Sequence, residues 1–305
     1  MKKNYSEYRD LIIGMREVYE TGKNVMEFAK KIFNQNSNQV DATLIAYDLQ
    51  TGTYTKEARN NPEENIKWCT QLANIILPYL PNQGSVLEVG SGEATTLSGI
   101  ISILKNTIGN TYGFDLSLSR TIEGNEWLSL NNNKSNLFVG DLFNIPLEDN
   151  SIDVVYSSHS LEPNGGREEE AIKECLRVSR NALVLVEPAY EFASEIAQSR
   201  MMMHGYVRGL KEAAEKLGAV VVENRLLGYF NNPLNPSGVL VLKKNVKTIK
   251  KSTENIVKWR CPLTRVELLQ LDDVFYAKEV GIAYPIVRGI PLLRDEHAII
   301  FSKLK

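Results

Sequence analysis

The residues able to do chemistry cluster in the middle of the chain, and two glycines set their pattern. In Gly84-Ser85-Val86-Leu87-Glu88-Val89-Gly90-Ser91-Gly92-Glu93-Ala94-Thr95-Thr96-Leu97, an apolar run carrying Glu88 leads into Gly90-Ser91-Gly92. A strand, a glycine turn and a helix in that order bring a nucleotide-like ligand against bare backbone. Glycine is needed because a Cβ would hold the ligand off the N–H groups, and because such turns can require positive φ. The same pattern also occurs in ordinary tight turns. The dinucleotide fingerprint asks for a third glycine where this chain has Thr95, and has no counterpart to Glu88. A second strand, Thr111-Tyr112-Gly113-Phe114-Asp115, ends in an acid about 25 residues beyond Gly90, placed with Leu116 to chelate ribose hydroxyls. A third, Leu137-Phe138-Val139, runs into Gly140-Asp141-Leu142, and a fourth, Ile152 to Tyr156, opens into Ser157-Ser158-His159-Ser160.

On these motifs, residues Glu63 to Lys244 resemble a class I S-adenosylmethionine-dependent methyltransferase. The resemblance implies that Glu88 and Gly90-Ser91-Gly92 hold the methionine end of the cofactor, and that Asp115 pairs with the ribose hydroxyls. Asp141 and the backbone of Leu142 match the position that reads the adenine amino edge. Ser157 to His159 match the wall beside the sulfonium. The departure is Ala94, where many members carry a third glycine.

S-adenosyl-L-methionine is a strong electrophile, so the protein mainly aligns a nucleophile with its methyl group and excludes water. A hydroxyl nucleophile gains from a base. The chain has three histidines. His159, at the exit of the fourth strand, and His204, in Met201-Met202-Met203-His204-Gly205-Tyr206-Val207-Arg208, are the candidate bases, while His297 has no supporting context. Tyr206 and Arg208 are candidate substrate anchors, as are Tyr47 and Tyr54, which flank the turn Gln50-Thr51-Gly52. Metal-dependent catechol-type transfer needs carboxylates grouped at the fourth-strand exit, which reads Ser157-Ser158-His159-Ser160. The Asn/Asp-Pro-Pro-aromatic motif of adenine and amide methylation is absent there, so no metal site is expected and oxygen is the favoured acceptor.

These side chains need a sheet to hold them. The resemblance implies an α/β, Rossmann-like seven-stranded sheet in the order 3-2-1-4-5-7-6. Its helices are expected from Pro62, from Thr95 to Leu104, from Leu118 to Leu130 and from Glu168 to Val178, with an interrupted helical stretch from Phe192 to Leu217. Residues 1–60 show two apolar stripes at helical spacing, Leu11, Ile12, Met15, Val18 and Tyr19, then Val25, Met26, Phe28, Ala29, Ile32 and Phe33. They read either as helices packed on the domain or as a lid over the pocket. The expected organisation is a helical extension over 1–60, a methyltransferase domain over 61–244 and, over 245–305, a basic linker and a small α+β domain.

That last part, with Cys261-Pro262-Leu263-Thr264 and the apolar run Ala283 to Leu293, resembles the small zinc-ribbon-like subunit that activates several tRNA and protein methyltransferases. Thr264 stands in place of the second thiol and no cysteine follows, so a four-ligand zinc site cannot be built.

Composition agrees with an intracellular enzyme. The 305 residues carry a formal net charge of −2, which offers no general footprint for nucleic acid. The charged amino terminus shows no secretory pattern, and no long apolar run offers a membrane span. Three scattered cysteines fit the reduced thiols of a cytosol, so a cytoplasmic location is expected. The expected partners are a small-molecule acceptor and at most a second copy of the chain. The leading reading is O-methylation of a sugar or other hydroxylated metabolite. The competing ones are a tRNA or protein methyltransferase with its activator fused in cis, and a non-catalytic cofactor-binding module.

Overall fold

The structure, a computed structural model, describes residues 5–33, 40–245 and 257–303. The polar run at 34–38 and most of the basic linker, including Lys247, Lys250, Lys251 and Glu254, lie outside them. Helices α1 (Tyr5–Glu20), α2 (Val25–Phe33) and α3 (Val40–Leu49) share a small core built on Leu11, Met15, Val25, Ala29 and Ile45. Of the expected stripes, Leu11 and Met15 are buried, whereas Tyr19 and Ile32 face outward. Helix α4 (Thr53–Asn60) follows at Gly52, whose φ of 89° turns the chain without strain. Pro62 then opens α5 (Pro62–Ile76), with Glu63 and Glu64 in the first turn, where acids suit the dipole.

Next come β1 (Gly84–Val89), α6 (Thr95–Leu104), β2 (Ile108–Asp115), α7 (Leu118–Leu130), β3 (Asn136–Val139), β4 (Ile152–Ser158), α8 (Glu168–Val178) and β5 (Ser179–Pro188). The chain continues through α9 (Glu195–His204), α10 (Leu210–Lys216), β6 (Val220–Leu226) and β7 (Ser237–Lys243). The sheet order is 3-2-1-4-5-7-6, with the β5–β7 and β7–β6 pairs antiparallel. Its central strands are apolar on both sides, as helices on two faces require. Val86, Val154, Tyr156 and Val184 pack toward α5 and α6, through Leu72, Ile76 and Ile100. The alternate residues Leu87, Val155, Leu183 and Leu185 pack toward α8 and α10.

The C-terminal part forms a second, antiparallel sheet from β8 (Trp259–Arg260), β9 (Glu267–Gln270), β10 (Val274–Ala277), β11 (Ile282–Val287), β12 (Ile290–Pro291) and β13 (Ile299–Ile300). Its described residues form strands and one 3-10 turn, Asp295–His297. Phe275, Tyr284 and Leu293 share the buried cluster that contains Phe138, Ile145 and Leu183. Trp259 is the wedge, 5.1 Å from the Phe138 ring and 5.2 Å from that of Phe275, with edges meeting faces. Leu292 bridges Val139 in parallel, and Leu293 N donates to Val139 O at 2.8 Å, so the second sheet lies along the β3 edge.

Candidate functional site

At the end of β1 the backbone turns through left-handed φ values at Gly90 (63°) and Gly92 (52°). A Cβ on Gly90 would lie 2.3 Å from Ser160 Cβ, so glycine is fixed there by contact as well as by φ. Ala94 also adopts a left-handed φ, 53°, where the resemblance led us to look for glycine; an L-residue accepts that at a cost of about 1–2 kcal/mol. Asp115 holds the turn from β2: Gly92 N donates to Oδ2 at 3.0 Å and Ser117 N to Oδ1 at 2.9 Å. Burial raises the Asp115 pKa against the opposing charge of Arg120. Beneath the turn, Glu88 is buried and its carboxyl is pushed up to about 8, chiefly by desolvation. Glu88 Oε2 and Ser91 Oγ are buried without a hydrogen-bond partner. Unpartnered acceptors beside a bare glycine backbone fit a ligand that brings its own ammonium and hydroxyl groups, as S-adenosylmethionine does.

The Asp141–Leu142 segment leaves β3 and is fixed from two sides. Asp141 Oδ1 accepts from Phe143 N at 2.8 Å, and Ile145 N donates to Glu174 Oε1 at 2.7 Å. Asn144 Nδ2 donates to Pro262 O at 3.1 Å and to Asp295 Oδ1 at 3.0 Å. Arg265 donates to Asn144 Oδ1 and Ile145 O. The second sheet therefore grips the loop through Asn144.

Helices α3 and α4 close the opposite side. Arg120, buried at the start of α7, lies between the rings of Tyr47 and Tyr54, 4.9 and 4.7 Å from their centroids, and 3.7 Å from Glu93. Glu93 accepts from Gly52 N at 3.0 Å and Thr55 N at 2.8 Å, which ties the α3–α4 joint to the glycine turn. Thr55 Oγ1 donates to Glu123 at 2.6 Å, and Ser117 Oγ to Asp48.

His159 sits at the β4 exit with a φ of 56°, a strained value for a non-glycine residue. Both ring nitrogens are engaged. Nδ1 lies 2.5 Å from Glu162 Oε2, and Nε2 lies 2.7 Å from Ser237 Oγ at the start of β7. Burial alone would lower the His159 pKa, but the bond and charge of Glu162, with the charge of Glu187, outweigh it and the net shift is upward. For Glu162, burial acts upward, but His159, Tyr206 and Asn235 draw its pKa below the ordinary value. Glu187, at the end of β5, accepts from the N–H groups of Ser160, Leu161 and Glu162 and so shapes the β4 exit. Desolvation pushes its carboxyl to about 7. His204 stacks on Tyr206 with centroids 5.3 Å apart, and the Trp68 ring lies 6.0 Å from His159.

One cavity of about 1330 Å³ joins these parts. It is lined by Glu88, Gly90, Ser91, Gly92, Asp115, Leu116, Asp141 and Leu142, and also by Tyr47, Tyr54, His159, His204 and Tyr206. Two singled-out residues lie apart from it. Ser157 is fully buried within the sheet, and Arg208 is exposed beside Glu168, to which its N–H donates at 3.1 Å. Sequence reasoning passed over Arg120, Glu93, Glu162, Glu187 and Ser237. Glu162 carried a signal, three residues after His159 in a run leaving a strand; Ser237 carried none.

Residues 87–185 match the family model described as a methyltransferase domain. No curated protein sequence matches the chain. Among solved structures, magnesium protoporphyrin IX methyltransferase from Synechocystis PCC 6803 with bound SAH is similar at 14% identity and a TM-score of 0.50, covering 66% of this chain and 99% of that one. A chain of the complex between the Haloferax volcanii Trm112 methyltransferase activator and a methyltransferase is similar at 15% identity and 0.48, covering 64% and 96%. Geranyl diphosphate C-methyltransferase from Streptomyces coelicolor follows at 11% and 0.45, covering 57% and 77%. The likeness to the first of these, at a TM-score of 0.50, speaks for the fold, and the matched segment supplies the chemistry. The chain is an enzyme that carries a methyltransferase domain over residues 87–185 and uses S-adenosylmethionine as its cofactor.

Proposed function

We propose that the enzyme methylates a hydroxyl of a small polar acceptor, a sugar or another hydroxylated metabolite, without a metal. The observation that carries this reading is the pairing, in one cavity, of the glycine cradle with a histidine already hydrogen-bonded to a carboxylate. When bound, S-adenosylmethionine supplies an electrophilic methyl group. Glu88, Gly90 to Gly92, Asp115 and Asp141 are the residues that would hold it. His159, with Glu162 behind it, takes the acceptor's proton, which a hydroxyl nucleophile needs at neutral pH. His204, on the same cavity wall, is the other candidate base. Asn164, Asn231, Asn232 and Asn235 line the cavity; one end of each amide is held by the protein, and the other end suits an acceptor's hydroxyls. The carboxylates nearest the β4 exit, Glu162 and Glu187, spend their oxygens on His159, Asn235 and three backbone N–H groups, which suits hydrogen bonding better than metal ligation.

A second reading is methyl transfer to tRNA or protein, with the C-terminal sheet as an activator in cis. What favours it is the grip of that sheet on Asn144. The balanced charge weighs against it, since a folded RNA needs a basic face. The test is transfer of label from S-adenosylmethionine to a panel of monosaccharides and nucleotide-sugars, alongside bulk tRNA. Label in the small-molecule fraction is expected. Salt-sensitive labelling of tRNA alone would reject the proposal in favour of the second reading.

A further inference from the structure

We propose that Ser237, not the His159 imidazole, is the group that meets the acceptor hydroxyl, and that it relays the acceptor's proton to His159. This rests on the O-methylation reading above and deepens it. The reason is geometric. His159 has no nitrogen left to offer the cavity: Nδ1 is on Glu162 at 2.5 Å and Nε2 is on Ser237 Oγ at 2.7 Å. Ser237 itself lines the cavity, and so do Glu162 and Asn235.

The positions are fixed from several elements. Ser237 pairs with Pro188 across the β5–β7 ladder, and its carbonyl accepts from Leu227 N at 2.9 Å. His159 is held by its backbone N–H, which donates to Val186 O at 2.9 Å. Asn235 Nδ2 reaches both Glu162 oxygens at 3.4 Å. Freeing Nδ1 would break its bond to the Glu162 carboxylate, and freeing Nε2 would break its bond to Ser237 Oγ.

The direction of the relay follows from the donors and acceptors. An ionised Glu162 only accepts, so Nδ1 carries the imidazole proton. In the neutral imidazole Nε2 is then a lone pair, and the Ser237 hydroxyl donates to it. As the acceptor oxygen takes the methyl group, its proton passes to Ser237 Oγ while that oxygen's own proton passes to Nε2. Ser237 ends as it began. The positive charge given up by the sulfonium comes to rest on an imidazolium facing the Glu162 carboxylate.

The tautomer is therefore the test, and it needs no acceptor. The full chain, labelled with 15N-histidine and saturated with S-adenosylhomocysteine, is read by NMR above the His159 pKa, with His159→Gln assigning the signals. Expected is a protonated Nδ1 and an unprotonated Nε2 whose shift moves in Ser237→Ala. A proton found on Nε2, or an Nε2 shift unmoved in Ser237→Ala, overturns the relay. In the sugar panel, Ser237→Ala should lose transfer by about 100-fold or more, the range of a general base, and Ser237→Thr should restore part of it. Full transfer by Ser237→Ala also overturns the proposal. If the wild type binds S-adenosylhomocysteine yet labels no sugar, the acceptor class has failed, and the tautomer alone decides the relay.

Discussion

Asp115 serves two partners at once, and that sets what its loss should do. Its carboxylate secures Gly92 and Ser117 and is the candidate ligand of the ribose hydroxyls. Asp115→Ala should weaken S-adenosylhomocysteine binding by about 1.5–3 kcal/mol, the worth of hydrogen bonds to a charged group. Calorimetry returning wild-type affinity would remove Asp115 from the site. The buried acids make a second prediction, about pH. Glu88 and Glu187 have folded pKa values near 8 and 7, above their ordinary 4.5, and His159 is shifted upward from 6.5. Each group binds protons more tightly folded than unfolded, so its stabilisation is full below the unfolded value and fades as pH rises through the folded one. Glu162 has the opposite sign, but its loss falls below about pH 4.5, outside this window. Tyr206 and Asn235 face the same pair and stay neutral across it. The ligand-free protein should therefore lose stability from pH 5 to 8, and Glu88→Gln should flatten that slope. Denaturant midpoints that rise over this range would contradict the assignment. At this scale motif spacing pointed to Glu88, Gly90 and Asp115, which line the cavity. It did not reveal Ser237 or Arg120, because their roles come from contacts between segments far apart in the chain.

Elements were more legible than contacts. The spacing of apolar residues placed α6 and α8 to the residue, since each buries one stripe against a flat sheet. It could not say how α3 and α4 dock, because that depends on Glu93 reaching two N–H groups about 40 residues away in sequence. Glu93→Ala would leave Arg120 without that buried partner and free the α3–α4 joint. A cost of about 3–5 kcal/mol is typical of breaking such a pair; the remaining Asp115 charge puts this case at the lower end. Urea unfolding gives the cost, and faster proteolysis within 49–60 should accompany it. The second clamp is Asn144. Asn144→Ala removes three bonds to the C-terminal part, two donated by its Nδ2 and one accepted by its Oδ1 from Arg265, about 0.5–1.5 kcal/mol each. It should weaken S-adenosylhomocysteine binding severalfold while leaving the sheet intact by circular dichroism. An unchanged affinity would mean that the Asp141 loop holds its shape unaided.

At the scale of the molecule, the C-terminal sheet is no loose appendage, because its Phe275, Tyr284 and Leu293 lie in one cluster with Phe138 and Leu183. A chain ending at residue 245 should expose that cluster and the β3 edge, and come out of cells aggregated or with a much lower unfolding midpoint. A soluble, cooperatively folding truncation would show that the main sheet closes its own core. Sharing of a core is set by tertiary contacts and has no local signature. The same junction has a consequence for synthesis. Val139 finds its partner Leu292 about 150 residues later in the chain. At roughly 5–20 residues per second, the nascent sheet waits on the order of 10–30 s with that edge bare. A ribosome pausing in the last fifth of the message would lengthen that wait, and synonymous codon choice there should change soluble yield without changing a single residue.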